Sequence, residues 1–431
     1  MRTYDIINAG PKNRFMANGR IVSNSGRLVQ TQNLVKTDPV SIAKWADISF
    51  KDHKPVRYPT DEEIDAYLAT GIEAVLHDSA EFFFADVMGL LSNCIRGSFI
   101  APPGRKLVVA DLSNIEGRVV AWLADEGWKT QAFRDFDTLA LDEQGNTIPD
   151  GKGGYERVGQ DLYHVAYGKS FGVDPRKVTK QQRTLGKVLE LACGFGGGVG
   201  AFFSFATAFN IDLDEMADNA IGAIPMETLK DSEGFMHWAE KKGLPKYNLT
   251  DKAYIVCNSF KILWRQAHPA VSSYWKELGE AFAAAILSPG EVIVARKLKL
   301  QFVKGWVRIR LSDGSYLCYP QAKIEESGDL SFMGINQFSK KWCRITTNGA
   351  KLFENVVQAT ARNVFVSSYA PAEAAGYEIV MRIHDEIVSE VPDSDEFTVE
   401  GLSAIMSTVP PWATGLPLAA AGYSATRYRK D

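Results

Sequence analysis

At 431 residues with 45% hydrophobic content, the chain is long enough for two or three lobes, each with its own apolar core. A formal net charge of −4 excludes any argument from bulk electrostatics for a nucleic-acid or membrane partner, although a local basic groove fits inside a balanced total. Five scattered cysteines without a CxxC pair exclude a zinc knuckle and a disulfide framework, and no apolar run approaches the roughly 18 residues that span a bilayer.

Residues 1–37, rich in Gly, Asn and Arg, are predicted as short strands and turns. Residues 60–95 are predicted helical, because TDEEIDAYL opens on a Thr cap followed by acids that suit a helix N-terminus. A turn at Pro102–Gly104 leads into the apolar strand KLVVA, which ends at Asp111, and a helix-like run follows. Residues 137–158 are polar and Gly-rich, a surface excursion. Helical spacing then dominates from Gln160 to about residue 285. Residues 290–345 return to β character, with GWVRIRLSDGSYLCYP read as a hairpin around Ser312–Gly314. A helix over 349–369, a hairpin around His384–Glu386 and a basic tail complete the chain. Helices and strands mix without βαβ regularity, so the predicted class is α+β.

Three constellations carry chemistry. Asp111 follows KLVVA and Asp385 follows VMRIH, so each acid ends an apolar strand or sits at its bend. Either one alone reads as a strand terminus. Two such strands side by side bring like charges together, which requires a proton or a cation between them, and oxygen-only ligands suit Mg²⁺ in a two-metal site. In QQRTLGKVLELACGF, Arg183, Lys187, Leu191 and Phe195 recur every four residues and predict one helical stripe, cationic at one end and apolar at the other. That stripe matches a nucleoside triphosphate; alone it also reads as a charged turn running into a buried one. The glycines at 194, 196, 197, 198 and 200 follow a helix and lack GKS or GKT, so the phosphate-loop and dinucleotide readings fail. In KLFENVVQATARNVF, Glu354, Gln358 and Arg362 share a polar face, suited to minor-groove acceptors or simply to solvent.

Taken in order, DLSNIEGR (111–118), RTLGKVLELACGFG (183–196) and IHDE (383–386) resemble the three motifs of the family A, DNA polymerase I-like, DNA polymerases. IRGSFIAP before Asp111 and QNL at 32–34 keep the family pattern, and GKVLELACGFGGGVGAF gives a bacteriophage flavour. The resemblance implies a right-hand polymerase: an antiparallel palm from residues 1–118 and 346–431, and mainly helical fingers with insertions from 119–345. It implies a DNA-directed DNA polymerase, a nucleotidyltransferase acting in phage DNA replication in the host bacterial cytoplasm. Its substrates are dNTPs and primer-template DNA.

Residue by residue, the resemblance implies that Asp111, the Leu112 carbonyl and Asp385 hold two Mg²⁺ ions, with Mn²⁺ able to substitute. Glu386 is the acid beside them. Arg183 and Lys187 take the triphosphate, with Leu191 and Phe195 against sugar and base, and Glu116 excludes the ribose 2′-hydroxyl. Gln358, Arg362 and His384 contact the primer end or duplex, together with Gln32 and either Arg20 or Arg27. Three departures stand out: Leu191 where an aromatic residue is usual, Phe195 where Tyr is usual, and Tyr163 in place of a triphosphate-contacting His, with His164 adjacent. No thumb or exonuclease motif is found ahead of the matched region. The expectation is a weak, salt-sensitive grip on DNA, with a second polypeptide supplying the missing half unless the chain is a fragment.

Overall fold

The apolar run KLVVA lies within the strand Arg105–Leu112, the second-to-last of four antiparallel strands in the order Glu378–Ile383, Glu386–Pro392, Arg105–Leu112, Ala420–Ala425. The computed structural model describes residues 14–17, 20–23, 38–51, 54–151, 154–208, 211–336 and 339–428. They divide into two compact units, one containing Asn114–Val364 with Val409–Pro417, the other containing Arg14–Ser113, Phe365–Thr408 and residues 418–428.

In the second unit, Arg105–Leu112 has a partner on each edge and is apolar on both faces, as expected of a buried central strand. Leu107 and Val109 join Ala101, Ile383, Val388 and Tyr428 in one core, while the alternate residues Val108, Ala110 and Leu112 are buried on the opposite face. The helix Val399–Met406 packs on this strand and on Ala420–Ala425. Gly422 faces Ala110, and a Cβ there would lie 1.8 Å from the Val109 carbonyl oxygen, so glycine lets the last strand approach. A satellite core of Ile42, Tyr67, Leu68, Leu90 and Cys94 joins the helices Asp61–Leu76 and Val87–Gly97. Thr60 and Glu63 form the capping box that the sequence implied. The predicted helix over 60–95 is in fact three, Asp61–Leu76, Ala80–Phe83 and Val87–Gly97; Asp78, at φ 53°, stops the first.

The first unit is mainly helical. Ile115–Ala124, Gly127–Asp137, Leu162–Phe171, Lys180–Cys193, Met226–Lys241, Asp251–Ala267 and Pro269–Leu287 are among its helices. A four-stranded and a three-stranded antiparallel sheet follow, and the predicted hairpin is present, with Trp306–Arg310 paired to Tyr316–Pro320 and Gly314 at φ +88° in its loop. Helices with antiparallel sheets make the whole α+β.

A buried polar cluster ties three helical segments of this unit together. Glu190 pairs with Lys129, accepts the Trp264 indole N–H at 3.0 Å, and lies 3.0 Å from His268 Nε2. His268 stacks on Trp264 with ring centroids 3.9 Å apart. Burial pushes the Glu190 carboxyl up, but the Lys129 and His268 charges outweigh it and hold it well below the usual carboxylate range. Removing one member of a buried pair leaves the other charge uncompensated. Glu190→Ala is expected to cost about 3–5 kcal/mol, read as a lower urea midpoint at unchanged slope; a midpoint like that of the wild type would contradict the role given to this cluster.

Candidate active site

The acids far apart in sequence meet in the sheet of the second unit. Asp111 is the penultimate residue of its strand and stands opposite Glu386 in the antiparallel register, one step beyond the pair Ala110↔Ile387. Asp385 occupies the two-residue loop of the hairpin that joins Glu378–Ile383 to Glu386–Pro392, and its carbonyl accepts the Leu112 N–H at 3.2 Å. His384, the other loop residue, is exposed and has φ 53°, a left-handed conformation that His tolerates better than a β-branched residue does. The structure therefore brings Asp111, Leu112, His384, Asp385 and Glu386 to one end of the sheet. Asp111 and Asp385 are half-buried, and Glu386 is only 2% exposed.

Residues directly opposite in an antiparallel pair hold their Cβ atoms about 5 Å apart, and like charges there are destabilising. Asp111 and Glu386 also share the face of Leu107, Val109 and Val388, whose side chains offer no polar relief. Tyr428, fully buried, donates its hydroxyl to Glu386 Oε1. Among the described residues no three or more His, Cys, Asp or Glu side chains are grouped so that they could hold a metal ion. By their chemistry alone, carboxylate and carbonyl oxygens are donors of the kind Mg²⁺ takes, a hard cation that binds through one or two carboxylates and completes its shell with water and substrate phosphates.

The cationic residues lie on the helix Lys180–Cys193 of the first unit, which begins with a Thr179–Gln182 capping box. Arg183 Nε donates to Asp161 Oδ2 at 2.6 Å, and its guanidinium lies 5.3 Å from the Tyr163 ring centroid. Asp161 is itself the N-cap of Leu162–Phe171, accepting from the N–H groups of Tyr163 and His164, and His164 Nδ1 lies 3.1 Å from Asp161 Oδ1. The two helices meet closely at Gly186, where a Cβ would lie 2.2 Å from the Tyr163 carbonyl oxygen. Lys187 is half-buried one turn on from Arg183, and Leu191 is 36% exposed. Phe195 is not on the helix as expected: the helix ends at Cys193, Gly194 caps it and Gly196 adopts φ +77°, so Phe195 sits in the turn that follows.

Glu116 lies half-buried in the first turn of Ile115–Ala124, whose N-cap Asn114 accepts from Gly117 N–H. Gln358 and Arg362 are half-buried on Gly349–Ser367, away from buried Val356, Val357, Ala361 and Val364. Arg20 falls in the strand Arg20–Ser23, without a described side chain, while Arg27 and Gln32 lie outside the described residues. The sequence reading missed three features: Asp161 as partner of Arg183, Glu190 as a buried anchor, and Tyr428 on Glu386. Only the first had a local signal, an Asp directly before a helix.

No protein-family model matches the chain. Over 361 residues it is 30% identical to a DNA polymerase of Bacillus phage SP02; the match takes in 82% of this chain and 46% of that protein, so the chain spans about half the length of this relative. A solved structure, the POL domain of Pol1 from M. smegmatis in complex with DNA primer-template and dNTP, aligns with 78% of this chain and 42% of its own at 14% identity and a TM-score of 0.38, too low to bear on the fold. Among the described residues no helix is long and apolar enough to cross a membrane.

Burial pushes the Asp161 carboxyl up, but the hydrogen bonds from Arg183 and His164 and the Arg183 charge outweigh it, so its pKa lies below the ordinary value. A folded-state pKa below the unfolded one gives stability that is complete above the ordinary carboxylate range and fades as pH falls through the lowered value. Asp161→Ala, which loses both cap and ion pair, is expected to cost about 1–2 kcal/mol at neutral pH and progressively less in acid. Urea denaturation across that range tests it; an equal loss at every pH would count against the ion pair.

Proposed function

We propose that this chain is the catalytic part of a template-directed DNA polymerase of the family A type, adding deoxynucleotides to a primer 3′-hydroxyl. The observation that carries the reading is the strand register that sets Asp111 against Glu386 and bonds Leu112 to the Asp385 carbonyl. The similarity to a phage DNA polymerase over most of the chain supports it. In this reading the four-stranded sheet belongs to the palm, drawn from residues 1–118 and 346–431, and the cation-bearing helix to the fingers, within 119–345.

In the reaction, the 3′-hydroxyl gives up its proton to water as its oxygen bonds to the α-phosphorus of the dNTP, the bond from that phosphorus to the bridging oxygen breaks, and pyrophosphate leaves. Asp111, Asp385 and the Leu112 carbonyl would hold the two Mg²⁺ ions. Bound there, the ions supply Lewis-acid stabilisation of the charge that develops on the phosphoryl oxygens. Arg183 and Lys187 bring fixed positive charge to the triphosphate, and Asp161 aims the Arg183 fork before the nucleotide competes for it. The exposed face of Leu191 lies against the sugar with less area than an aromatic ring gives, and Phe195 and Tyr163 complete the nucleotide contacts. Glu116 excludes the 2′-hydroxyl by bulk and by the cost of desolvating it. Gln358, Arg362 and His384 contact the primer and duplex, with Arg20, Arg27 and Gln32 as further DNA contacts.

The match occupies about half the length of the phage enzyme; the proposal also includes a second polypeptide that acts together with the chain. Primer extension with Mg²⁺ by the purified chain, with and without candidate partner proteins, tests the reading. Template-dependent dNTP incorporation is expected, with Asp111→Ala and Asp385→Ala each lowering it roughly 10³-fold or more, the scale of several kcal/mol of lost charge stabilisation. Incorporation unaffected by either substitution would contradict the assignment. Glu116→Ala is expected to reduce the preference for dNTP over rNTP roughly tenfold or more, measured as the ratio of kcat/KM values. An unchanged ratio removes Glu116 from sugar selection.

A further inference from the structure

Glu386 is a buried carboxylate placed directly opposite Asp111, on a face otherwise lined by Leu107, Val109, Ile383 and Val388. Left to itself, such a group is driven to turn away from its neighbour and toward water. The structure holds it with the Tyr428 hydroxyl. A phenol donating to a carboxylate is a charge-assisted hydrogen bond, roughly twice as strong as a neutral one.

The ring packs against Ile383 and Val388 of the hairpin that carries Glu386, and further bonds fix it from a separate segment. Tyr428 N–H donates to the Phe99 carbonyl at 2.9 Å, and Ala101 N–H donates to the Thr426 carbonyl at 2.8 Å. Between them, Ile100 and Arg427 form an antiparallel bridge, and the Arg427 side chain reaches the Gly97 carbonyl. Phe99 meets the Tyr428 ring edge-on, with centroids 6.4 Å apart. The ring thus stands on the segment 97–101, packed into the core beneath the acids, with its hydroxyl directed at one oxygen of Glu386.

We infer that Tyr428 is a positioning residue for the acidic centre: its hydroxyl holds the Glu386 carboxylate in one orientation on the face it shares with Asp111. This rests on the polymerase reading above and deepens it. The charge next to the pair that would hold the ions is then set before substrate arrives, and no reorganisation is needed during the reaction. Hydrogen-bond partners around an ion site typically govern affinity and rate by 10–100-fold, and Glu386 stands directly opposite Asp111, one of the groups that would hold the ions.

Tyr428→Phe keeps the ring and removes the hydroxyl. The expected result is an approximately tenfold lower kcat for primer extension, with KM for dNTP and affinity for primer-template within about twofold of wild type. Mn²⁺ binding to the enzyme without dNTP, followed by electron paramagnetic resonance, is expected to weaken several-fold in the same variant. In a Glu386→Ala background the carboxylate that the hydroxyl positions is gone, so adding Tyr428→Phe should change neither quantity further. Arg427→Ala loosens the segment that carries the ring, so it should lower thermal stability and move kcat and Mn²⁺ affinity in the same direction as Tyr428→Phe. Wild-type kcat and Mn²⁺ affinity in Tyr428→Phe, or additive effects in the double variant, would each overturn the inference. A wild-type chain that does not extend primers overturns the polymerase reading instead, and the Mn²⁺ measurement still reads whether Tyr428 acts on the acids.

Discussion

The antiparallel pairing of Arg105–Leu112 with Glu386–Pro392 sets the position of every acid at the candidate site. Side chains alternate along a strand, so a slip of one residue would send Asp111 or Glu386 to the other face of the sheet. The register is held by apolar and polar contacts together: Val109 faces Val388 in the core, and buried Ser389 donates its hydroxyl to the Val108 carbonyl at 2.7 Å. Gly422 lets a further strand close the free edge of Arg105–Leu112. An apolar sheet thus fixes, at its rim, a set of charges that would repel one another if free.

The helical unit solves a related problem with opposite signs. Arg183 and Lys187 stand one turn apart on a helix whose Glu190 is sunk among Lys129, Trp264 and His268. The buried charge cluster costs desolvation, and its bonds join Glu190 of this helix to Lys129, Trp264 and His268. Asp161, which caps one helix and holds a cation of another, sets the direction of the guanidinium. Rigid supports of this kind are what preorganised electrostatics require.

Much of this was legible in the sequence because the signals are local. KLVVA followed by Asp111, and VMRIH followed by Asp385, are apolar runs that end on acids, and the spacing of Arg183, Lys187 and Leu191 is helical. The hairpin around Gly314 and the cap at Thr60 are equally local. The break of residues 60–95 into three helices was not legible, because it depends on a left-handed Asp78 rather than on a Pro or Gly. Phe195 kept the four-residue spacing yet left the helix, since the helix ends at Cys193 with Gly194 as its cap and Gly196 turns the chain just after. The links from Tyr428 to Glu386 and from Glu190 to Lys129 and His268 join residues distant in the chain, and no window of sequence contains both partners.

The central claim is that Asp111 and Asp385 bind divalent cations together. Anomalous diffraction from crystals holding Mn²⁺, primer-template and a non-hydrolysable dNTP measures this directly. The account requires a Mn²⁺ peak coordinated by carboxylate oxygens of both Asp111 and Asp385. Mn²⁺ bound through only one of them, or only elsewhere on the protein, would contradict it.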